Sequence, residues 1–334
     1  MKNAHAPRSL TRAAPSGGAV PPPSTAPQGD DPRLAHLIGA SLAPGMIPAA
    51  VIVGFPSDEG VRRNGGRPGA SAAPAAIRER LLRMTPDPES GDAFVSLLGA
   101  TADLGDVPVT GDVDADQRAL AATLEPHLAR GSFGIVIGGG HETAYGHFLA
   151  YARRGERVSI LNWDAHLDVR PLAPAGAHSG SPFRQAIEHP SRTCARYTVA
   201  GLLRHSVARA HLAFVRDAGG DYVWRDALSA PMIHAVYDAA RVPDAAMMVS
   251  FDVDVVDRAH APGVSAPATG GLDVATWLHA AHLAGRTPAV RSVDVVEVNP
   301  AHDRDGQTAT LAALGIWWML KGLAERGASG GAPR

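Results

Sequence analysis

Short apolar runs recur along the chain, separated by longer stretches of mixed polarity. AAVIVGF (49–55), FGIVIGGG (133–140), RVSILNW (157–163), AMMVSF (246–251) and AVRSVDVVEV (289–298) are the clearest. Most are rich in β-branched residues and lack a clean polar alternation. Strands covered on both faces read this way, because neither side of such a strand meets water. Between the runs lie Ala/Leu/Arg segments with apolar residues at helical spacing, including Ala73–Leu82 and Gln117–Ala129. Strand and helix patterns in alternation predict a mainly parallel sheet with helices on both faces, a three-layer α/β/α architecture. No linker after residue 35 is long enough to divide the chain, which predicts one domain over residues 36–330. Residues 1–35 read differently. They are rich in Ala, Pro, Gly and Ser, carry no acidic residue before Asp30, and are expected to form a disordered tail. No clear amphipathic helical pattern in this stretch supports a transit peptide.

Composition narrows the function classes. The chain has 334 residues, of which 45% are hydrophobic, enough for a large core. Basic and acidic residues number 31 and 33, so nothing in the charge balance favours nucleic acid or an anionic membrane as partner. The most apolar late stretch, Leu311–Leu320, is too short to span a bilayer and predicts a buried helix. Cys194 is the only cysteine, which excludes an intramolecular disulfide and a thiolate-rich zinc site and fits a reducing, cytoplasmic setting.

Each informative polar cluster lies just beyond an apolar run. In open parallel sheets, ligands bind beyond the carboxyl ends of the strands, so these clusters are placed along one edge. NWDAHLD sets Asp164, His166 and Asp168 two residues apart. On a helix that spacing scatters the side chains around the axis, whereas on an extended segment it puts them on one face. A solvated acidic loop is the plain alternative for this triplet alone. SFDVDVVD repeats the spacing with Asp252 and Asp254, while Asp257 falls out of phase and suits a turn or cap. GGGHE contributes His141; its neighbour Glu142 points the opposite way on an extended segment. Gly138–Gly140 lack a P-loop's Lys-Ser/Thr and fit a close backbone approach to the metals better than a phosphate cradle. Together the clusters offer four carboxylates and two imidazoles. Four carboxylates crowded at low dielectric repel strongly, and two divalent cations would neutralise them. Carboxylate-rich ligation with some imidazole suits Mn2+, with Fe2+, Co2+ and Zn2+ as alternatives. Such a pair would acidify a shared water near neutral pH.

GGGHE, NWDAHLD, SFDVDVVD and DVVEVNP, in this order, resemble the signatures of the ureohydrolase (arginase/agmatinase) superfamily over roughly residues 45–325. The resemblance implies an arginase-like sheet of about eight strands and two Mn2+ per subunit. Carried over motif by motif, it implies His141, Asp164, His166, Asp168, Asp252 and Asp254 as metal ligands. It also implies Glu297 as the carboxylate that contacts an amidine or guanidine group, and a homo-oligomer, trimer or hexamer. Within the superfamily, GFPSDEGVRRNGGRPGA (54–70), GGGHETAYGH (138–147), DAHLDVRPL (164–172), HSGSPFRQ (178–185) and RHS (204–206) are most similar to the formimidoylglutamase branch. Arginases usually carry His-Gly-x-Pro where this chain has Ser179-Gly180-Ser181-Pro182, so their shuttle imidazole is absent. His178, one residue earlier, is the candidate substitute.

Charge supports the same branch. N-formimidoyl-L-glutamate carries two carboxylates beside one amidine, so a site for it needs more cations than one for agmatine. Arg62, Arg63, Arg67, Arg170, Arg184 and Arg204 lie in or near the motif loops, and arginine suits bidentate carboxylate binding. Arg170 continues the face of Asp168 on an extended segment. The expectation is therefore a Mn-dependent hydrolase of a small linear amidine in histidine degradation. Asp168, Glu297 and His178 are its catalytic candidates, and Arg170, Arg67, Arg63, Arg184 and Arg204 its substrate contacts. A guanidine hydrolase releasing urea, an agmatinase or guanidino-acid hydrolase, is the runner-up, and a non-catalytic family member a distant third.

Overall fold

In the computed structural model, which describes residues 30–328, eight strands form one all-parallel sheet. In chain order they are β1 (Ala50–Phe55), β2 (Thr101–Asp106), β3 (Phe133–Gly138), β4 (Val158–Trp163), β5 (Cys194–Leu202), β6 (Asp221–Trp224), β7 (Ala246–Asp252) and β8 (Val290–Val296). Their spatial order is β2-β1-β3-β8-β7-β4-β5-β6. The five apolar runs became β1, β3, β4, β7 and β8, and β1, β3 and β4 are buried along their whole length. These five are the contiguous middle of the sheet. β2 and β6 are its edges and are partly exposed, so their sequences, TADLGD and DYVW, carry polar residues that mask them. Asp103 and Asp106 lie within β2, where Arg78 pairs with both at 2.8 Å.

Strand alternation divides the core in two. Ala50, Ile52, Ile135 and Leu161 face one layer, which includes residues of the helices Ala73–Leu82, Met232–Ala240, Val274–Arg286 and Gln307–Ala328. Val51, Val53, Val136 and Ile160 face the other, packed by residues of Val113–Ala129, Thr143–Ala152, Pro182–Ile187 and Arg209–Asp217. The three-layer expectation is met. The predicted helix over Leu311–Leu320 lies inside Gln307–Ala328, and Trp317 anchors it through Nε1–H to the Thr85 carbonyl at 2.8 Å. Residues 1–29 of the expected tail lie outside the described residues. Within its last residues the helix Leu34–Leu37 already begins, and Leu34 is buried. No helix among the described residues is long and apolar enough to cross a membrane.

The helices Val274–Arg286 and Gln307–Ala328 meet backbone to backbone. A Cβ on Gly285 would lie 2.0 Å from the Met319 carbonyl oxygen, and one on Gly322 would lie 2.2 Å from that of His282. Neither obstacle is a flexible side-chain end, so one of the helices must shift. Gly285→Ala is therefore expected to destabilise the fold by about 1–3 kcal/mol, despite alanine's better helix propensity. Thermal melts of the two proteins check this, and an unchanged midpoint would mean the helix pair yields freely.

Candidate metal centre

Because every strand is parallel, all carboxyl ends share one edge, and β3, β8, β7 and β4 are neighbours there. His141 follows β3, Glu297 follows β8, Asp252 and Asp254 lie at and just beyond the end of β7, and Asp164–Asp168 follow β4. Residues scattered over 157 positions of sequence are gathered by strand order alone. Two donor groups result, each with ligand atoms lying within 4.8 Å of one another: His141, Asp164, Asp168 and Asp252, and Asp164, His166 and Asp254. Asp164 belongs to both.

Local structure aims each side chain. The Asn162 amide donates to Asp164 Oδ2 at 2.9 Å, and the His166 backbone N–H donates to Oδ1 at 2.6 Å. Asp252 Oδ1 accepts the Asp254 backbone N–H at 2.8 Å across a short 3-10 turn. The triplet after β4 does not continue as an extended strand. Asp168 adopts the left-handed region, φ 44°, so it reaches the His141 group by a turn rather than by period-two alternation. Glu297 is left-handed too, φ 69°, and backbone strain at two side chains of one site is held by the packed loops around it. Glu297 Oε1 accepts the His141 backbone N–H at 2.7 Å, and Ser265 Oγ donates to Oε2.

The glycines beside His141 serve a different neighbour from the one expected. A Cβ on Gly139 would meet the Ser57 carbonyl oxygen at 2.0 Å, and one on Gly140 would meet Glu142 Oε2 at 2.2 Å. They admit the segment after β1, whose Gly60 N–H and Ser57 hydroxyl donate to Glu142 Oε1 at 2.9 and 3.3 Å. Glu142 is thus turned away from the donor groups.

The electrostatics of the centre are those of crowded, buried charge. Burial, with the charges of Asp254 and Asp164, holds the Asp252 carboxyl well above the usual range. Burial also raises Asp254, against the opposing pull of His166. Burial lowers the His141 ring, but Asp168 and Asp252 outweigh it and hold the ring well above an ordinary imidazole. His166 is likewise raised, its burial overcome by Asp254 and Asp164. Glu297 is pushed well up by burial and by the charges of Glu142 and Asp254.

A metal fits these residues. His141 Nδ1 lies 2.9 Å from Asp168, 3.0 Å from Asp252 and 3.5 Å from Asp164, yet it is buried with no hydrogen-bond partner. A nitrogen this close to three carboxylates but outside hydrogen-bond geometry points its lone pair at the space they share. Asp254 Oδ1 is orphaned in the same way. Hard oxygen donors with imidazole are a set that suits Mn2+ and its neighbours.

A cleft opens over the groups, lined by Asp168, His166, Asp252, Asp254 and Glu297. Asn64, Arg170, Ser179, Ser265 and Ala266 form the rest of its wall. Of the candidate arginines, only Arg170 lines it, with Nη1 donating to Asn64 Oδ1 at 3.0 Å while Asn64 Nδ2 donates to Ser179 Oγ at 3.0 Å. The others are spent on structure. Arg63 holds the Ala175 and Ala177 carbonyls and pairs with Glu59. Arg62 pairs with Asp58 and Glu59, and Arg67 donates to the Val264 carbonyl. Arg184 pairs with Glu188 and lies over the Phe214 ring, and Arg204 pairs with Asp226 and lies over Trp224. His178, expected as the substitute shuttle, also lies outside the cleft lining. Its Nδ1 accepts the Gly180 N–H at 3.2 Å and its Nε2 contacts the Pro171 carbonyl at 3.1 Å, so both ring nitrogens are engaged by backbone outside the cleft lining. Asn64 and Ser265 were missed. Asn64 stands in the RRNGG stretch among more conspicuous arginines, and Ser265 in a loop with no charged side chain nearby.

A sequence model described as the arginase family matches residues 48–321. A formimidoylglutamase of Rhodococcus opacus (strain B4) is 37% identical over 310 residues, spanning 88% of this chain and 93% of that one. A formimidoylglutamase of Geobacillus thermodenitrificans (strain NG80-2) is 36% identical over 290 residues, spanning 84% and 86%. The crystal structure of Trypanosoma cruzi formiminoglutamase with Mn2+2 superposes with a TM-score of 0.80 at 34% identity, covering 89% of this chain and all of that one.

Two expectations follow from this geometry. Replacing Asp252 and Asp254 together by alanine removes one carboxylate from each donor group and relieves their repulsion. The variant should stay folded by circular dichroism but take up no Mn2+ in calorimetric titration; retained uptake would reject these carboxylates as ligands. The second concerns pH. Burial, reinforced by Asp58, raises the Glu142 carboxyl to about 7 against the pull of Gly60 and Ser57. The folded state therefore binds this proton more tightly than the unfolded chain. The linked stability is complete below about pH 4.5 and is lost as pH rises through 7, by up to about 3 kcal/mol. Glu142→Gln should lack that loss, so urea melts at pH 5 and 7.5 should diverge between the two proteins.

Proposed function

The chain belongs to the arginase family, and we propose that it is a manganese-dependent formimidoylglutamase. It hydrolyses N-formimidoyl-L-glutamate to formamide and L-glutamate, as in histidine degradation. The observation that carries this reading is the cleft itself. Two carboxylate–imidazole donor groups sharing Asp164 form its floor, Glu297 stands on one wall, and Arg170, a cation with no carboxylate partner among the described residues, stands on another. Two Mn2+ per subunit, a homo-oligomeric assembly and a cytoplasmic site of action belong to the same reading.

His141, Asp164, Asp168 and Asp252 would hold one ion, and Asp164, His166 and Asp254 the other. Bound there, divalent cations supply Lewis acidity, which lowers the pKa of a coordinated water enough to give a nucleophile near neutral pH. The residues of the chain do the rest. Glu297 accepts N–H groups of the amidinium; the arriving cation favours its carboxylate form, which burial alone disfavours. Ser265 and the His141 N–H fix the direction of that carboxylate. Arg170 lies within the cleft to pair with a substrate carboxylate, and Asn64 and Ser179 extend the polar wall beside it. Asp168 takes the proton released by the nucleophile and returns it to the departing amine. Water adds to the formimidoyl carbon, the bond from that carbon to the glutamate nitrogen breaks, and glutamate leaves with its amine restored. His178 has no part in this, because the backbone engages both its nitrogens.

Mn2+-loaded protein should release glutamate from N-formimidoyl-L-glutamate and no urea from agmatine or guanidino acids; the opposite pattern rejects the branch. Arg170→Ala should raise KM by about 10–100-fold with little change in kcat, the signature of lost charge-assisted binding shared by ground and transition states. Arg204→Ala, whose guanidinium already has Asp226, should behave as the parent.

A further inference from the structure

A line of buried polar side chains runs from the metal centre back through the sheet, and nothing in the proposed chemistry uses it. His141 Nε2, the nitrogen facing away from the carboxylates, lies 2.9 Å from Ser250 Oγ. Ser250 Oγ donates to Asp294 Oδ1. The other oxygen of Asp294 lies 2.7 Å from His147 Nδ1. His147 Nε2 meets Ser292 Oγ, and Ser292 Oγ meets the Tyr151 hydroxyl. All six residues are fully buried. The sequence places them by register: Ser250 and Asp294 are direct partners across β7 and β8, Ser292 lies two residues before Asp294 on the same face, and His147 and Tyr151 are one turn apart on the helix Thr143–Ala152. Polar groups are costly in such a place unless every one is paired, so a connected chain of six needs an explanation.

We propose that Asp294 is a positioning residue for the metal ligand His141, acting through Ser250, and that His147, Ser292 and Tyr151 are the brace that holds Asp294. This rests on the reading of His141 as a ligand. If Nδ1 gives its lone pair to a cation, Nε2 must carry the ring proton and donate to Ser250. Ser250 must then spend its own hydrogen on Asp294. A carboxylate only accepts, so His147 donates from Nδ1 and its Nε2 accepts from Ser292, which accepts in turn from Tyr151. Every hydrogen then has one direction, and two donor arms converge on the two oxygens of Asp294. The tautomer and ring orientation of His141 are set by a carboxylate one hydroxyl away, an outer-shell arrangement that raises ligand basicity.

Asparagine at 294 has nearly the size of aspartate but one acceptor and one donor, so it cannot receive both arms. Metal-stripped full-length protein, Asp294→Asn, Ser250→Ala, the double variant, and His141→Ala are compared by competition for Mn2+. Each is also loaded with Co2+ and its visible absorption recorded, since loss of stability alone would not move the spectrum of the bound ion. Asp294→Asn and Ser250→Ala should each lose about 10–100-fold in Mn2+ affinity and shift the Co2+ bands. The double variant should lose no more than the larger single loss, because both act through one contact. Strictly additive losses, or an Asp294→Asn protein within twofold of the parent with unshifted Co2+ bands, would overturn the proposal. Should Asp294→Asn fail to fold, Ser250→Ala carries the same affinity and spectral test. Full Mn2+ affinity in His141→Ala would instead reject His141 as a ligand. Tyr151→Phe, at the far end, should lose a smaller, few-fold share; an unchanged affinity would remove Tyr151 from the brace.

Discussion

The constraint on which this structure depends is the mutual repulsion of four carboxylates brought together out of water. Asp164, Asp168, Asp252 and Asp254 converge with two imidazoles at the carboxyl edge of the sheet. Charges that close, in a medium of low dielectric, interact by several kcal/mol or more. The side chains cannot relax apart, because each is tied to backbone in its own loop or to the end of its own strand. Their energy is therefore carried in shifted protonation, with Asp252 raised by burial and by its acidic neighbours and His166 raised by two carboxylates. Divalent cations remove the conflict at its source, and the orphaned Nδ1 of His141 marks where one would be bound.

The rest of the fold can be read as the frame that keeps this arrangement from collapsing. Four adjacent parallel strands deliver the donors to one edge, and register keeps them level. Beneath them the sheet is packed by apolar side chains on both faces, interrupted on one face by the polar line from Ser250 to Tyr151. Above them, the segment after β1 approaches so closely that glycine is required at 139 and 140. That segment brings in Asn64, and the loop between β7 and the helix Val274–Arg286 brings in Ser265. Arg67, by donating to the Val264 carbonyl, ties these two loops together beside the cleft. Arg67, outside the cleft lining, thus still shapes the site.

Much of this was legible in the sequence, and the boundary of legibility has a physical cause. Central strands are buried on both faces, so their apolar runs stand out; the edge strands β2 and β6 are partly wet and were not among the runs singled out. The donors were legible because hard ligands must be carboxylates or imidazoles, and few such residues follow apolar runs. How they converge was not: Asp168 enters through a left-handed residue, and alternation along a strand does not describe that turn. Ser265 was hidden because a hydroxyl carries no charge to attract notice, although it touches the carboxylate that meets the amidine in the proposed chemistry.

The arginines show why counting charge near a motif is weaker than knowing its partners. A guanidinium is always cationic, but it is available to a ligand only if no protein group already satisfies it. Arg62, Arg63, Arg184 and Arg204 each have a carboxylate within 3.5 Å, and three of those pairs are neighbours four residues apart whose acid was visible in the sequence as Asp58, Glu59 and Glu188. Among the described residues Arg67 and Arg170 have no carboxylate partner; Arg67 donates to the Val264 carbonyl outside the cleft lining, whereas Arg170 lines the cleft. The side-chain contact of Arg170 is the neutral amide of Asn64, which leaves the positive charge uncompensated at the wall of an otherwise acidic cleft. An unpaired cation beside so many carboxylates would be drawn into an ion pair with them if it could reach. In the proposed function Asn64 holds it at the rim with its charge free for an incoming anion, so that one cleft takes an amidine at one end and a carboxylate at the other.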